Sequence, residues 1–540
     1  MDVLKDRAVP KTRERKRSPA LVSAIIVLAL GLAIGGCQAK ELTTEQKVAD
    51  FRYLYRIFKE NHPFLDLKAR VEGYDWLAHE KEFEDMVRST KDDAEFAAVM
   101  KRITALVNNA HTSLLPSVTS YMRAGGAYAD AVRGSRAPYW ADLAGDSEEP
   151  ALLMPFLAVY HTGHYVVVDA DVAVQESGVV PGATVTRVDG VDVHEYVAGF
   201  RGQTWLKYDP IRARVYLPKL LSPDAASTVQ VEFRRDDGTL FEKTLTCRAG
   251  PGAWRYWRPP QYTWPSGQQR SLALTDTIRT STGVIGYIHV RSMDESIVKA
   301  CSSFLRSAGP FEAIVIDIRG NGGGSDMAWM GLTRCITAGP LSGTSHALMK
   351  SGEYMRRFFA NLPTVTRQQL VESLPEGSAR NLPPELQSAA YRDPIRLTYA
   401  IGPSPDSISF EGPIYLLVDD VVYSSAESFA LHCKTTGWAT IVGGFTGGDG
   451  GGTGPLPLVL PNSGLTLRFP AAMALGPSGK ADEEEHVIPD VLVEPSIPEF
   501  LASVEALQES VHLDPVADPV LKECVRLIDE HTAKGSKGSE

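Results

Sequence analysis

The chain has 540 residues, of which 44% are hydrophobic and 22% charged. This composition excludes a wholly disordered, collagen-like or coiled-coil protein, and the length leaves room for two to four domains. The formal net charge is −11. Because the chain after residue 36 is acidic and has no local basic patch, nucleic acid is excluded as a partner.

The first 36 residues have the pattern of an export signal. A basic cluster at 11–17 precedes residues 20–36, an uncharged apolar stretch. This stretch runs through two glycines into Cys37, and the pattern resembles the bacterial lipobox, which implies cleavage before a lipidated cysteine. We therefore expect a lipid anchor at Cys37 and an extracytoplasmic, periplasmic body, and Gln38 hints at outer-membrane sorting. An uncleaved membrane anchor is the alternative.

The other cysteines and the histidines give no local sign of a metal site. Five scattered cysteines leave room for one disulfide, but an odd number does not indicate a disulfide framework. The sequence contains neither a CxxC pair nor an HExxH motif, so we expect no zinc site and no cofactor. The cysteines are Cys247, Cys301, Cys335, Cys433 and Cys524.

Changes in hydrophobic pattern divide the rest of the chain. Apolar residues at helical spacing predict an N-terminal helical domain, short β-like runs follow, and a strand–helix–strand order then indicates an α/β sheet. The predicted segments are a signal peptide at 1–36, a helical domain at 37–148, a β module at 149–250, a linker at 251–281, an α/β core at 282–500 with an insertion at 337–406, and a helical tail at 501–540.

Two segments of the core carry candidate chemistry. Residues 316–324 read IDIRGNGGG, an apolar strand that ends in a glycine turn whose N–H groups can bind an anion. Residues 414–420 predict a second strand, after which Ser424 opens a helix with Glu427 three residues on. A capping box is the plain structural interpretation of this Ser-x-x-Glu. The functional one is a serine exposed at the carboxyl edge of a sheet.

Together these segments resemble the tail-specific, or C-terminal processing, serine peptidases. That family has "(I/L)D(L/I)RxNxGG" followed by "SxxE", and residues 441–448 and 487–491 are similar to its later motifs. The resemblance implies a multidomain α/β protein with a crotonase-like peptidase core. It extends to residues 180–190, which are similar to a PDZ motif, and this implies a PDZ-like module that binds an extended peptide by strand addition.

The resemblance separates two catalytic branches. Many members use a base lysine 25 residues after the serine, but Asp449 occupies that position and cannot replace such a lysine. The branch similar to the tricorn core takes its base from an N-terminal "DGHT" motif, which here reads Asn-Ala-His111-Thr. It also uses an acid seven residues before the Asp of "PDV", which gives Glu483, although the register among Glu483, Glu484 and Glu485 stays open.

The predicted site therefore has Ser424 as nucleophile, His111 as general base and Glu483 as supporting acid. The N–H groups of Ser425 and of Gly322 or Gly323 are predicted to hold the oxyanion. His486 is a fallback base, and His432 is read as a packing residue. The Ser-x-x-Lys at Ser296 does not indicate a penicillin-recognising enzyme, because its companion motif follows too closely.

These expectations define one leading function and one alternative. The leading function is a membrane-anchored, extracytoplasmic serine endopeptidase that cleaves peptides or protein C-terminal tails through an acyl-enzyme at Ser424. The glycine-rich run 443–454 is either a plain surface loop or a mobile loop beside this serine. The alternative is an inactive family member that serves as a peptide- or ligand-binding lipoprotein. The natural substrate and the oligomeric state stay open.

Overall fold

The computed structural model describes residues 41–144, 152–222, 228–249, 272–281, 283–350, 352–359, 364–391, 394–451, 454–509 and 517–537. The chain divides into a unit at Met1–Thr43 and a unit at Thr44–Glu540, and all elements below belong to the second. The predicted signal peptide 1–36 and Cys37 lie outside the described residues. Among the helices of the described residues, none combines the length and apolarity that crossing a bilayer requires.

The N-terminal part of the second unit is helical, as its apolar spacing predicts. Phe51, Leu54 and Phe58 recur on one face of the first helix and are fully buried. A 3₁₀ turn, Trp76–His79, and the two-residue strand β1, Ser113–Leu114, accompany the helices. The helices are Thr44–Asn61, Leu65–Glu72, Glu80–Arg88, Asp93–Ala105, Thr119–Ala124, Gly126–Ala131 and Ala137–Ala144.

The next segment forms a β module with short helices at Val172–Glu176 and Val193–Ala198. Its strands are β2 Leu152–Leu153, β3 Phe156–His161, β4 His164–Ala170, β5 Thr184–Val188, β6 Val191–Asp192, β7 Lys207–Asp209, β8 Arg214–Tyr216, β9 Thr228–Arg234, β10 Leu240–Thr246 and β11 Arg248–Ala249. The main sheet is antiparallel in the order β10-β9-β5-β4-β3, with β6 on β5, and β7 pairs with β8.

The edge strand β3 is not open to a peptide. Tyr160 N–H donates to Pro218 O at 3.1 Å, and Leu220 N–H donates to Ala158 O at 2.9 Å, so residues 218–220 of the chain already pair with this edge. The PDZ-like resemblance implies strand addition at a sheet edge, and addition at β3 would first have to displace this segment. Recognition by side chains needs no such displacement at this edge.

The core sheet begins inside the predicted linker. The remaining strands are β12 Ala273–Arg279, β13 Val284–Val290, β14 Ala313–Asp317, β15 Leu341–Leu348, β16 Ile395–Ile401, β17 Ile414–Val418, β18 Thr440–Gly443, β19 Leu456–Val459, β20 Thr466–Phe469, β21 Met473–Leu475 and β22 Val491–Leu492. Six of them form one sheet in the order β12-β13-β14-β17-β18-β22, parallel except for β12. The multidomain α/β class is thereby confirmed.

Helices cover both faces of this sheet, so its central strands are apolar throughout. All five residues of β14 and of β17 are buried. Ile314 and Ile316 face the helices of one side, and Ala313 and Val315 face Leu521 and its neighbours in the last helix. The helices of this part are Ile297–Ala308, Asp326–Ile336, Glu353–Phe359, Arg367–Ser373, Ser425–Thr436, Asp482–Glu485, Ile497–Glu509 and Pro519–Lys537, with 3₁₀ turns Ser378–Asn381 and Pro384–Gln387.

The segment 337–406, which has little periodicity, is more regular than its sequence predicts. Its two strands β15 and β16 pair with each other, and β15 also pairs with β21. Leu370, Leu386 and Tyr391 pack into a common core with Phe64 and Leu67 of the N-terminal helices. Tertiary packing therefore orders the described part of this insertion where local pattern gives no signal. The five cysteines after Cys37 are all buried with free thiols, so none of them forms the one disulfide for which the sequence left room.

Candidate active site

Ser424 ends the short turn 419–424 that follows β17, and it directly precedes the helix Ser425–Thr436. Its backbone adopts φ 57° and ψ −122°, a region that residues with a side chain seldom occupy. Such a strained turn between strand and helix exposes a nucleophile at the carboxyl edge of a sheet. The side chain of Ser424 does not cap the helix, so the capping-box interpretation does not hold.

His111 contacts this serine from the N-terminal part of the chain. Its Nε2 lies 3.1 Å from Ser424 Oγ, and its Nδ1 lies 2.8 Å from Asp449 Oδ2. The carboxylate can only accept, so Nδ1–H donates to Asp449 and the neutral ring accepts from the Ser424 hydroxyl at Nε2. The imidazole is only 13% exposed. The structure thus brings together two predicted residues that lie 313 positions apart.

Asp449, and not the predicted Glu483, is the acid that contacts this histidine. Three donors converge on Asp449 Oδ2 at 2.8 Å each: Asn109 Nδ2, His111 Nδ1 and Tyr423 Oη. Asn109 also accepts the N–H of His111 at its Oδ1, at 2.9 Å. The asparagine that replaces the Asp of "DGHT" therefore holds both the backbone of His111 and the carboxylate of Asp449. A carboxylate held in this way sets the tautomer and orientation of an imidazole.

Glu483 belongs to a buried ion-pair network behind the Asp449 loop. Lys68 Nζ lies 2.6 Å from Glu483 and 2.6 Å from Glu72, and Glu72 lies 2.5 Å from Arg201. Burial raises the pKa of Glu483 to about 7, although Lys68 opposes this shift. Asp449 contacts His111, whereas Glu483 contacts Lys68 of the second N-terminal helix. Motif spacing cannot indicate this contact with the lysine. Glu484 pairs with Arg70 at 3.0 Å instead.

Two further buried acids hold the loop that carries Asp449. Glu427 Oε1 accepts from Thr446 Oγ1 at 2.5 Å and from Val487 N–H at 3.0 Å. Asp482 Oδ2 accepts from Gly450 N–H at 2.9 Å. One carboxyl oxygen of each acid is buried without a partner among the described residues. Burial raises the pKa of Glu427 to about 8 and the pKa of Asp482 well above its usual range.

Replacing Glu427 by glutamine should flatten the dependence of stability on pH. Between an unfolded pKa of 4.5 and a folded pKa of about 8, the folded chain keeps a proton that the unfolded chain has released. The free energy of unfolding therefore falls as pH rises through this window, by on the order of 5 kcal/mol for this group. Urea denaturation of wild type and Glu427→Gln at pH 4.5, 6.5 and 8.5 measures the difference. Equal slopes in both proteins would contradict it, and exposed Glu411→Gln is the control.

The predicted oxyanion donors lie around Ser424. Gly322 and Gly323 follow β14, which neighbours β17, so both turns meet at the same edge of the sheet. Gly323 N–H donates to Asn321 Oδ1 at 2.9 Å. Ser425 N–H, in the first turn of its helix, is one of the groups that intrahelical bonds leave unsatisfied. Because the N–H of Gly323 is engaged, Gly322 and Ser425 are the more suitable pair.

Gly323 itself is needed for space. Its φ is 108°, and a Cβ at this position would lie 2.8 Å from Ser424 Cβ and 2.8 Å from Tyr423 O. Gly323→Ala should displace Ser424 and lower kcat/KM for a peptide by about 100-fold, as an ångström of misplacement does. Gly339→Ala is the matched control, because its Cβ would meet nothing within 4 Å. Unchanged activity of Gly323→Ala would show that Ser424 tolerates this shift.

The other residues that the sequence singles out lie away from this contact. His486 Nδ1 donates to Thr446 O at 2.6 Å, His432 Nδ1 lies 2.9 Å from Tyr399 Oη, and burial lowers the pKa of each histidine to about 4. Ser296 is exposed and immediately precedes the helix Ile297–Ala308. No group of acids, cysteines and histidines within the described ranges could hold a metal ion.

Asp449 is the functional residue that sequence reasoning missed. It occupies the position, 25 residues after Ser424, where one branch of the resembling family has its lysine. This position was therefore already marked as close to the serine. The sequence does not show that Asn109 and Tyr423 surround Asp449. Their hydrogen bonds place its carboxylate where it can orient His111.

Comparison with known proteins agrees with the resemblance. The model of Peptidase family S41 matches residues 284–493. No curated protein matches the chain. Among solved structures, mature CPAF is 16% identical with a TM-score of 0.53, over 90% of this chain and 98% of that one. Mature CPAF complexed with lactacystin gives 16% identity and a TM-score of 0.52, over 90% and 99%. At this identity the likeness concerns the fold.

A third structure is less similar. The photosystem II D1 C-terminal processing protease is 16% identical with a TM-score of 0.36, over 84% of this chain and 94% of that one. The family match covers the strands that position Ser424 and the glycine turn beside it. The chain is therefore a serine-type peptidase, in which residues 284–493 match the model of Peptidase family S41.

Proposed function

We propose that the chain is a lipid-anchored, extracytoplasmic endopeptidase that cleaves peptides or protein tails with a Ser424–His111–Asp449 triad. The single observation that carries this proposal is the chain of two contacts, 3.1 Å from Ser424 Oγ to His111 Nε2 and 2.8 Å from His111 Nδ1 to Asp449 Oδ2. Nucleophile, base and orienting acid are the arrangement that serine acyl transfer requires.

The first half of the reaction follows from this geometry. His111 Nε2 takes the proton of the Ser424 hydroxyl while Oγ attacks the peptide carbonyl carbon. The carbonyl oxygen becomes an oxyanion, which the N–H groups of Ser425 and Gly322 stabilise. His111 then gives the proton to the leaving amine, the C–N bond breaks, and the acyl group stays on Ser424.

The second half returns the serine. Water loses a proton to His111 and attacks the acyl-enzyme carbonyl, and Ser424 leaves as the hydroxyl after it recovers that proton. Throughout, Asp449 keeps the ring in one tautomer and stabilises the imidazolium that forms. Tyr423 and Asn109 hold Asp449, because both donate to its Oδ2.

We also propose that the catalytic site is of the tricorn-core-like type and that the chain is exported and lipid-anchored at Cys37. A base supplied from an N-terminal "DGHT"-like segment, in the absence of a lysine at position 449, supports the branch. The lipobox-like run into Cys37 supports the anchor and the periplasmic location. A non-catalytic peptide-binding lipoprotein would not need a histidine within hydrogen-bond distance of Ser424 and of an acid, so this contact favours the enzyme.

A peptide-library digest tests the proposal. The full chain, purified in a nonionic detergent, is incubated with the library, and the products are read by mass spectrometry. The same protein after complete fluorophosphonate modification is the paired control. We expect internal cleavage by the untreated protein and none by the treated one. Folded protein that cleaves no peptide, or cleavage that survives complete modification, would contradict the proposal.

A further inference from the structure

The β module contains a cavity lined by cationic side chains. It has a volume of about 390 Å³ and lies at the turn between β3 and β4, where it also touches β5 and β8. Three arginines and two histidines line it, together with one carboxylate. These charged and titratable lining residues are His164, Asp192, His194, Arg212, Arg214 and Arg234.

Two of the three arginines have no carboxylate to pair with. Arg212 contacts Asp209 at 3.2 Å and Glu494 at 2.6 Å. Arg214, which is half-buried, and Arg234, which is exposed, form no ion pair with any described residue. The single lining carboxylate, Asp192, accepts the N–H of His194 at 2.9 Å. The wall of the cavity therefore carries two guanidinium groups without an ion-pair partner among the described residues, although the net charge of the chain is −11.

Burial and the same arginines lower the pKa values of the two histidines in the cavity. Burial lowers the pKa of His194, and Arg214 lowers it further. Burial also lowers the pKa of His164, with Arg234, Arg212 and Arg214 adding to the effect. His194 Nδ1 is buried and has no partner among the described residues. The cavity thus offers two guanidinium groups and an unused ring nitrogen to a ligand, and guanidinium groups match the planar geometry of carboxylates.

The cavity continues toward the catalytic edge of the core. A second cavity of about 200 Å³ shares Thr162 and Arg212 with the first and reaches Asp419 and Asp420. These two aspartates follow β17 directly and precede Ser424 by a few residues. A peptide chain held in the first cavity can therefore continue along the surface toward the strand that presents the nucleophile.

We propose that this arginine cavity binds carboxylate groups of a peptide substrate and so directs the peptidase to the segments that carry them. The inference rests on the proposed function and names the substrate class of that peptidase. It accounts for recognition by a module whose β3 edge is already paired with residues 218–220. The ligand is a carboxylate, supplied either by Asp and Glu side chains or by a free C-terminus.

A binding assay that needs no catalysis tests the inference. The full chain carrying Ser424→Ala, in nonionic detergent, is titrated against labelled peptides, and fluorescence anisotropy is measured. The first peptide has internal Asp and Glu residues and an amidated C-terminus, and its twin has Asn and Gln instead. A third peptide is neutral with a free C-terminal carboxylate. Arg214→Gln/Arg234→Gln is the test variant, and Arg187→Gln removes an exposed charge of the same module outside the cavity.

We expect the acidic or the free-carboxylate peptide to bind at least about tenfold more tightly than the amide twin. The double variant should lose that preference, and Arg187→Gln should keep it. Whichever of the two peptides gains affinity identifies the source of the carboxylate. Equal binding of all three, an equal loss in Arg187→Gln, or binding to phosphatidylglycerol vesicles without any peptide preference would overturn the inference.

The outcome is separable from that of the proposed function. If the wild type cleaves the acidic peptide and its amide twin at equal rates, the peptidase stands and the arginine cavity is not its selector. If the Ser424→Ala chain binds acidic peptides through Arg214 and Arg234 but the wild type cleaves nothing, the cavity stands and the peptidase fails.

Discussion

Replacing Ser424 by alanine should lower kcat/KM for any cleaved peptide by about 10⁴-fold or more. The variant lacks the Oγ that forms the acyl-enzyme, and only binding and oxyanion stabilisation remain to help a water molecule attack. Alanine has a Cβ as serine does, so it leaves the backbone strain at φ 57° unchanged and the fold should be unaffected. Steady-state hydrolysis of a quenched fluorescent peptide, with circular dichroism of both proteins, gives the result.

Ser296→Ala is the matched control for this experiment. Ser296 lies in the Ser-x-x-Lys motif of a different serine chemistry, but it is exposed and borders another helix. Its loss should leave kcat/KM within about twofold of wild type. Activity that persists in Ser424→Ala and disappears in Ser296→Ala would contradict the assignment and identify Ser296 as the nucleophile.

Replacing Asp449 by asparagine should lower kcat/KM by about 10²- to 10³-fold while leaving the fold intact. Because His111, Asn109 and Tyr423 all donate to the same oxygen, Oδ2, the asparagine keeps its amide oxygen at that position and the ring keeps its tautomer. The loss comes from the missing negative charge, which stabilises the imidazolium that forms during the reaction. The two remaining contacts to this side chain, from Asn109 and Tyr423, should hold it in place. The same peptide assay measures the loss.

Glu483→Gln distinguishes the two candidate acids. Because Glu483 pairs with Lys68 at 2.6 Å and not with His111, its neutral variant should lose less than about tenfold in kcat/KM and more in stability, since it leaves a buried lysine with one partner fewer. A larger loss of activity in Glu483→Gln than in Asp449→Asn would favour the acid that motif spacing predicts.

Much of the core follows from sequence because its strands are buried on both faces. The runs AIVID and IYLLV have no polar interruption before their last residue, which is typical of central parallel strands. The glycine turn and Ser424 each lie a few residues after one of those strands, so once the strands are parallel neighbours the two turns meet at one edge. The contact from His111 came from the family resemblance and not from pattern.

The parts that sequence could not predict depend on long-range side-chain contacts. Asp449 becomes an orienting acid only because Asn109, His111 and Tyr423 converge on it from two distant segments. Residues 218–220 close β3 through backbone hydrogen bonds, which carry no sequence signature. The arginine cavity likewise assembles residues from five separate segments of the β module, so its charge never forms a basic run in the sequence.

The most direct test of the triad is mass spectrometry of the acyl-enzyme formed from an activated ester. The full chain is quenched with acid at early times, digested, and searched for the acyl mass in wild type and in His111→Gln. The account predicts one acyl group per chain in the wild type, on Ser424, and formation slowed by about 10³-fold or more in the variant. An acyl group on another residue, or equal acylation rates in the two proteins, would contradict it.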